Sequence, residues 1–209
     1  EPRYLAAAEK TLGSLQARLW DAKTKTLFHR WRDGERDSVQ LLEGYAFLLA
    51  GVLDLYEATL GDEHLDFAIA LAESLTTRFY DAENGGFWQS APGAKDLILR
   101  VKEDYDGAEP SGNSVAMLAL LKLGRITDRK EFTQAAENSL RLFANRLQQV
   151  PQALPCMLQA LDFSLEEPRR AVVAGDPGSP ETRTLLRAIH SVYQPNKVVH
   201  GNTGSVEPF

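Results

Sequence analysis

Polar side chains are packed most densely in the run RVKEDYDGAEPSGNS, Arg100 to Ser114. Glu103, Asp104, Asp106 and Glu109 flank Tyr105 there, and the run leads into SVAMLALLKL, Ser114 to Leu123, which is apolar nearly all round. Carboxylates at the mouth of a buried helix can hold or pass a proton, and hydroxyl and amide groups beside them can orient a polyol. Pro110 near the first turn, Ser111 as cap and Asn113 inside the first turn are equally good helix-initiation chemistry. Capping alone needs fewer polar groups than Asp106, Glu109, Ser111, Asn113 and Ser114 supply together.

A second candidate is LLEGY, Leu41 to Tyr45, which opens another all-apolar stretch. Glu43 in a first turn suits the helix dipole, and by position it faces the same mouth as Glu109. Two carboxylates across a groove, with Tyr45, Tyr105 and Trp31 or Trp88 as stacking surfaces, suit acid/base work on a sugar. The candidate catalytic residues are therefore Glu43, Asp106 and Glu109. The candidate substrate-binding residues are Tyr45, Arg100, Lys102, Tyr105, Ser111 and Asn113. Arg30, Arg32 and Asp33 lie in the same loops as Arg100 and Lys102 and could orient hydroxyls or a carboxylate, although such charges are more often solvated. His29, His64, His190 and His200 stand away from these mouths, and no two have metal-ligand spacing, so neither a metal nor another cofactor is expected. Cys156 reads as a small core residue.

The elements that must position these groups follow from periodicity. Leu5 to Leu19 carries one apolar stripe through Leu5, Ala8, Leu12, Leu15 and Leu19, whereas Leu41 to Ala58 is apolar all round and must be buried on several sides. Glu63 to Phe79 is striped, Ser114 to Leu123 buried, Lys130 to Leu147 striped and Ala153 to Phe163 mostly apolar. The order is outer, inner, outer, inner, outer, inner. Links from inner to outer helices are short, and those from outer to inner are longer than usual loops, so all the long loops gather over the inner-helix N-termini. The run RLWDAKTKTLFHRW at Arg18 to Trp31 aligns with RFYDAENGGFWQS at Arg78 to Ser90, an offset of about 60 residues that fits one helical hairpin with its loops. Asn84-Gly85-Gly86 predicts a β-hairpin in the second copy.

After Phe163 the pattern changes. Arg170 to Ala174 reads as a strand, Ser179-Pro180-Glu181 as a capped helix start, and Lys197 to His200 as a second strand. Gly175-Asp176-Pro177-Gly178 between them is a turn, since neither GxxxxGK nor GxGxxG is present. The fold class is mainly α: a partial α/α toroid of about three outer/inner hairpins over residues 1–165, short β-hairpins in its long loops, and a small β-α-β tail over 166–209 packed on the same domain.

Composition narrows the function. Of 209 residues, 44% are apolar and 25% charged, the makeup of an ordinary globular domain. The formal charge of −6 and the scattered basic residues argue against a nucleic-acid partner. No apolar run approaches the roughly 20 residues that cross a bilayer, so no membrane partner is expected. A single cysteine without a CxxC pair fits a reducing cytoplasm.

RVKEDYDGAEPSGNSVAMLALLKL, with EGYAFLLAGVLDLYEAT before it and ALPCMLQALD and QPNKVV after it, resembles the C-terminal region of the spermatogenesis-associated protein 20 family, including the bacterial YyaL-like proteins. The resemblance covers nearly the whole chain. It implies a thioredoxin-like domain elsewhere in a longer protein, and an α/α toroid similar to N-acylglucosamine 2-epimerase and cellobiose epimerase. It implies a small carbohydrate as ligand, with a non-enzymatic helical scaffold as the alternative. Two departures stand out: Gly44 occupies a position where the family pattern has an acidic residue, and the histidine pair used by sugar 2-epimerases has no counterpart at these helix mouths. Half a ring leaves apolar flanks open, so the chain is expected to be part of a longer protein or to pair with a second copy that covers them.

Overall fold

A computed structural model describes residues 1–93 and 99–202 of the chain. Helix α1 (Pro2–Leu19) is followed by a loop with two short ladders, β1 (Trp20–Asp21) with β2 (Thr26–Leu27) and β3 (Trp31–Arg32) with β4 (Glu35–Arg36), both antiparallel. Then come α2 (Leu42–Thr59), α3 (Asp62–Phe79), α4 (Gly112–Thr127), α5 (Lys130–Leu142), α6 (Ala144–Gln149) and, after a single 3₁₀ turn, α7 (Pro155–Leu165). The tail is β5 (Arg169–Ala174), α8 (Pro180–His190) and β6 (Lys197–Asn202).

The apolar pattern decides which helices go inside. α2, α4 and α7 pack in a row with α4 in the middle, while α3 lies against α2 and α4, and α5 against α4 and α7. α1 rests on α2 and buries only Leu12, as its narrow stripe requires. The core between the layers includes Leu49, Leu53, Leu71, Leu75 and Met117, all fully buried, each worth roughly 1.5–3 kcal/mol against exposure. Gly124 lets α5 approach α4 at Thr133, where no side chain fits. Both inner-to-outer turns place a non-glycine residue in the left-handed region, Leu60 at φ 56° and Asp128 at φ 55°. Leu60 holds that conformation because its side chain is buried and its N–H bonds Tyr56 O.

The internal repeat extends to single hydrogen bonds. Asp21 Oδ1 accepts the N–H groups of Lys23 and Thr24 at 3.0 and 3.2 Å, and Asp81 Oδ1 accepts those of Glu83 and Asn84 at 3.0 and 3.1 Å. Each turn is then braced by a buried serine of the next outer helix: Ser74 Oγ donates to Lys25 O, and Ser139 Oγ accepts from Gly86 N at 2.9 Å.

Three expectations are corrected in detail. The striped segment Lys130 to Leu147 is two helices, because Phe143 leaves helical geometry at ψ 5° while keeping its ring buried. The last inner helix begins at Pro155 rather than Ala153. The hairpin predicted at Asn84-Gly85-Gly86 reduces to one bridge, Tyr80 to Phe87. Both glycines do take positive φ, and a side chain at Gly85 would meet Asn138 O at 2.6 Å.

In the tail β5 and β6 are parallel, with α8 as the crossover, and β6 packs on α2 and α4. Ser179 caps α8 through Thr182 N, and Asp176 Oδ1 takes the N–H of Gly178, so the Gly175–Gly178 segment is the turn expected. What was read of residues 203–209 lies outside the described residues. No helix among the described residues is long and apolar enough to cross a membrane.

Candidate functional site

The mouths of α2 and α4 adjoin. A side chain at Gly112 would lie 3.1 Å from Leu42 and 3.2 Å from the backbone nitrogen of Glu43, so glycine permits the approach. The long loops are stitched together above them: Leu42 N donates to Gln89 O, Gln89 N to Val101 O, Ala91 N to Gln40 O and Asp106 N to Ala153 O.

Most of the polar run from Arg100 to Ser114 holds this platform. Asp106 is 8% exposed, with Oδ1 accepting Ser111 N–H at 2.8 Å and Oδ2 accepting Cys156 N–H at 2.8 Å and Met157 N–H at 3.1 Å. It caps α7 from a distant loop and ties it to the start of α4. Ser111 Oγ accepts Ser114 N–H at 3.1 Å, the cap predicted for α4. Asn113 has no exposed surface, and its amide copies a strand neighbour: Oδ1 accepts Phe87 N–H at 2.8 Å, and Nδ2 donates to Phe87 O and Glu103 O at 2.9 Å each. Both donors and the acceptor are engaged.

Tyr45 is not a stacking surface at the mouth. It is fully buried, edge-on to Phe79 at 5.2 Å, and its hydroxyl accepts Leu27 N–H at 2.7 Å. Leu27 and Phe87 are the equivalent positions of the two repeats, so Tyr45 serves the first loop as Asn113 serves the second. The apolar character of α2 on every side was the signal that a residue one turn in would be enclosed. Arg100 donates twice to Ser90 O, and Lys102 Nζ bonds Asp81 Oδ2 at 2.7 Å and Gly85 O. Both cations lie over the Trp88 ring, at 5.0 and 4.5 Å from its centroid. Lys102, with the Asn84 and Glu83 N–H groups, holds the Asp81 carboxyl well below the usual range. Burial lowers the Arg100 guanidinium somewhat.

Glu43 and Glu109 are different. Both are exposed at the mouth, and neither carboxylate has a hydrogen-bond or ion-pair partner among the described residues. Tyr105, 58% exposed, lies over Gly107 with its ring open to solvent. Glu103 takes Gln89 Nε2, Asp104 pairs with Arg146 at 2.9 Å, and the exposed Trp31 stacks under Arg18. Arg30 pairs with Asp37 and Arg32 with Asp33. One group that sequence reasoning passed over is Gln40, just before α2, whose Oε1 is buried without a partner. A side chain directly ahead of a helix mouth was the available signal. Among the described residues no group of three or more His, Cys, Asp or Glu is placed to hold a metal ion.

No family model matches the chain. Over 159 residues it is 42% identical to spermatogenesis-associated protein 20 of Rattus norvegicus and 40% identical to that of Homo sapiens, 76% of this chain in each case. The chain is a relative of the spermatogenesis-associated protein 20 family over this region. It spans about a fifth of the length of these relatives, 20% in both. Among solved structures the cellobiose 2-epimerase of Spirochaeta thermophila superposes with a TM-score of 0.53 at 25% identity, over 68% of this chain and 37% of that one. The helical array of this spermatogenesis-associated protein 20 relative is thus a segment of an epimerase-like α/α toroid.

Proposed function

We propose that the adjoining mouths of α2 and α4 form a carbohydrate-binding surface in an epimerase-like toroid. Glu43 and Glu109 accept hydrogen bonds from sugar hydroxyls, and the Tyr105 ring offers a face for stacking. The observation that carries this reading is the division of labour at the mouth. Asp106, Ser111, Asn113, Arg100 and Lys102 are engaged in holding loops, whereas Glu43 and Glu109 stand exposed and unpartnered among the described residues. The likeness to a cellobiose 2-epimerase supports a sugar as the ligand class. With no histidine pair at these mouths, Glu43 and Glu109 are the side chains here suited to move a proton.

Calorimetric titration with a panel of mono- and disaccharides, glucose, mannose and cellobiose among them, tests the proposal. Saturable binding to at least one sugar, weakened in Glu43→Gln and Glu109→Gln at unchanged thermal stability, is expected. Silence across the panel, or binding indifferent to both substitutions, overturns it.

A second reading has its own observation. The dense polar loop braces the starts of α4 and α7 through Asp106 and holds the Phe87 loop through Asn113, as it would in a non-enzymatic scaffold within a larger thioredoxin-domain protein. Empty titrations with intact stability favour that reading.

A further inference from the structure

At the far end of α2 from the candidate site, two consecutive residues clasp the tail. Val199 and Gly201 lie two apart on β6, so their N–H groups point to one edge of the strand, the edge turned away from β5. Glu57 Oε1 accepts Val199 N–H at 2.8 Å, and the Tyr56 hydroxyl accepts Gly201 N–H at 3.2 Å. The two side chains thus stand where a neighbouring strand would be and close the edge. The clasp is doubled: the Tyr56 hydroxyl also lies 3.2 Å from His200 Nδ1, and His190 Nε2 lies 3.1 Å from Glu57 O. Tyr56 is 1% exposed and Glu57 7%.

We propose that Glu57 is a proton-sensitive clasp: with its carboxyl neutral the β5-α8-β6 unit is seated on α2, and as the carboxyl ionises the seam loosens. A carboxylate enclosed between a helix and a strand edge loses its water, and one backbone N–H replaces only part of it. The titratable and charged groups around it are Asp54 on α2, Lys122 on α4, His190 on α8 and His200 on β6, with Asp62 of α3 acting on Tyr56. Burial raises the Glu57 carboxyl above its usual range, against the opposing Val199 N–H, Lys122 and His190; Asp54 adds to the rise. The sign follows. An acid whose value is higher in the seated state takes up a proton on seating, so the contact is strongest below the ordinary carboxyl value of 4.5 and weakens as pH rises through the raised one.

Hydrogen exchange on the intact chain between pH 5 and pH 8, corrected for intrinsic rates, reads the seam directly. Protection at Val199 and Gly201 is expected to fall by about threefold or more with rising pH, while Leu71 and Leu75 of α3 stay level. Glu57→Gln removes the slope, and Tyr56→Phe lowers protection but keeps it. A level profile at β6 in the unsubstituted chain, or an unchanged slope in Glu57→Gln, overturns the proposal. Should Glu57→Gln fail to fold, the contrast between β6 and α3 in the unsubstituted chain still decides.

Discussion

The carboxylate of Asp106 accepts the backbone N–H of Cys156 at 2.8 Å, across fifty positions of the sequence. One side chain thereby caps α7 while its other oxygen holds Ser111 at the start of α4. Asp106→Ala leaves three N–H groups without their acceptor, two buried and that of Cys156 part-buried, so the unfolding free energy is expected to drop by about 3 kcal/mol. Urea denaturation checks this; a change below about 0.5 kcal/mol contradicts the bracing role.

The same proximity acts on the thiol. Burial, with the Asp106 charge nearby, pushes Cys156 up from 9.0 to about 11. At pH 8 it then carries about a hundredfold less thiolate than a thiol at the reference value. Alkylation by iodoacetamide is expected to be slow in the folded chain and ordinary in urea; fast labelling of the folded chain counts against the buried setting.

Lys102 and Asp81 form the most enclosed ion pair among the described residues. The Asp81 carboxyl is depressed on folding, so its contribution is present above the unfolded value, 3.8, and is lost as pH falls toward the folded one. Lys102→Met is therefore expected to flatten the acid limb of a stability profile below about pH 4. Thermal melts in steps from pH 6 to pH 2 for both proteins measure it.

Asn113→Asp replaces the two N–H donors of Nδ2 with one acceptor oxygen facing the carbonyls of Phe87 and Glu103. A loss of about 3 kcal/mol is expected. Asn113→Ser, which retains one donor, should lose less; the reverse order in urea contradicts the assigned bonding.

Much of this fold was legible because helix periodicity is a local signal. The single stripe of α1 and the all-round apolar faces of α2 and α4 separate outer from inner helices without any structure. Ser111 and Ser179 announced their helices for the same reason, since a cap acts within three residues. The roles of Asp106 and Asn113 were not legible, because their partners at Cys156 and Phe87 come close only when the hairpins pack. Phe143 breaks its helix without a glycine or proline to mark it. Asp106, Ser111, Asn113, Arg100 and Lys102, read as a possible site, hold loops, and the candidates left facing solvent, Glu43, Tyr105 and Glu109, were distinguishable only by exposure.

The central claim is best tested by chemical-shift mapping of a sugar titration onto the assigned backbone of the chain. Saturable shifts confined to Gln40–Glu43 and Tyr105–Gly112, absent in the Glu43→Gln, Glu109→Gln double variant, are predicted. Shifts elsewhere, or none with any saccharide, contradict a sugar-binding mouth at α2 and α4.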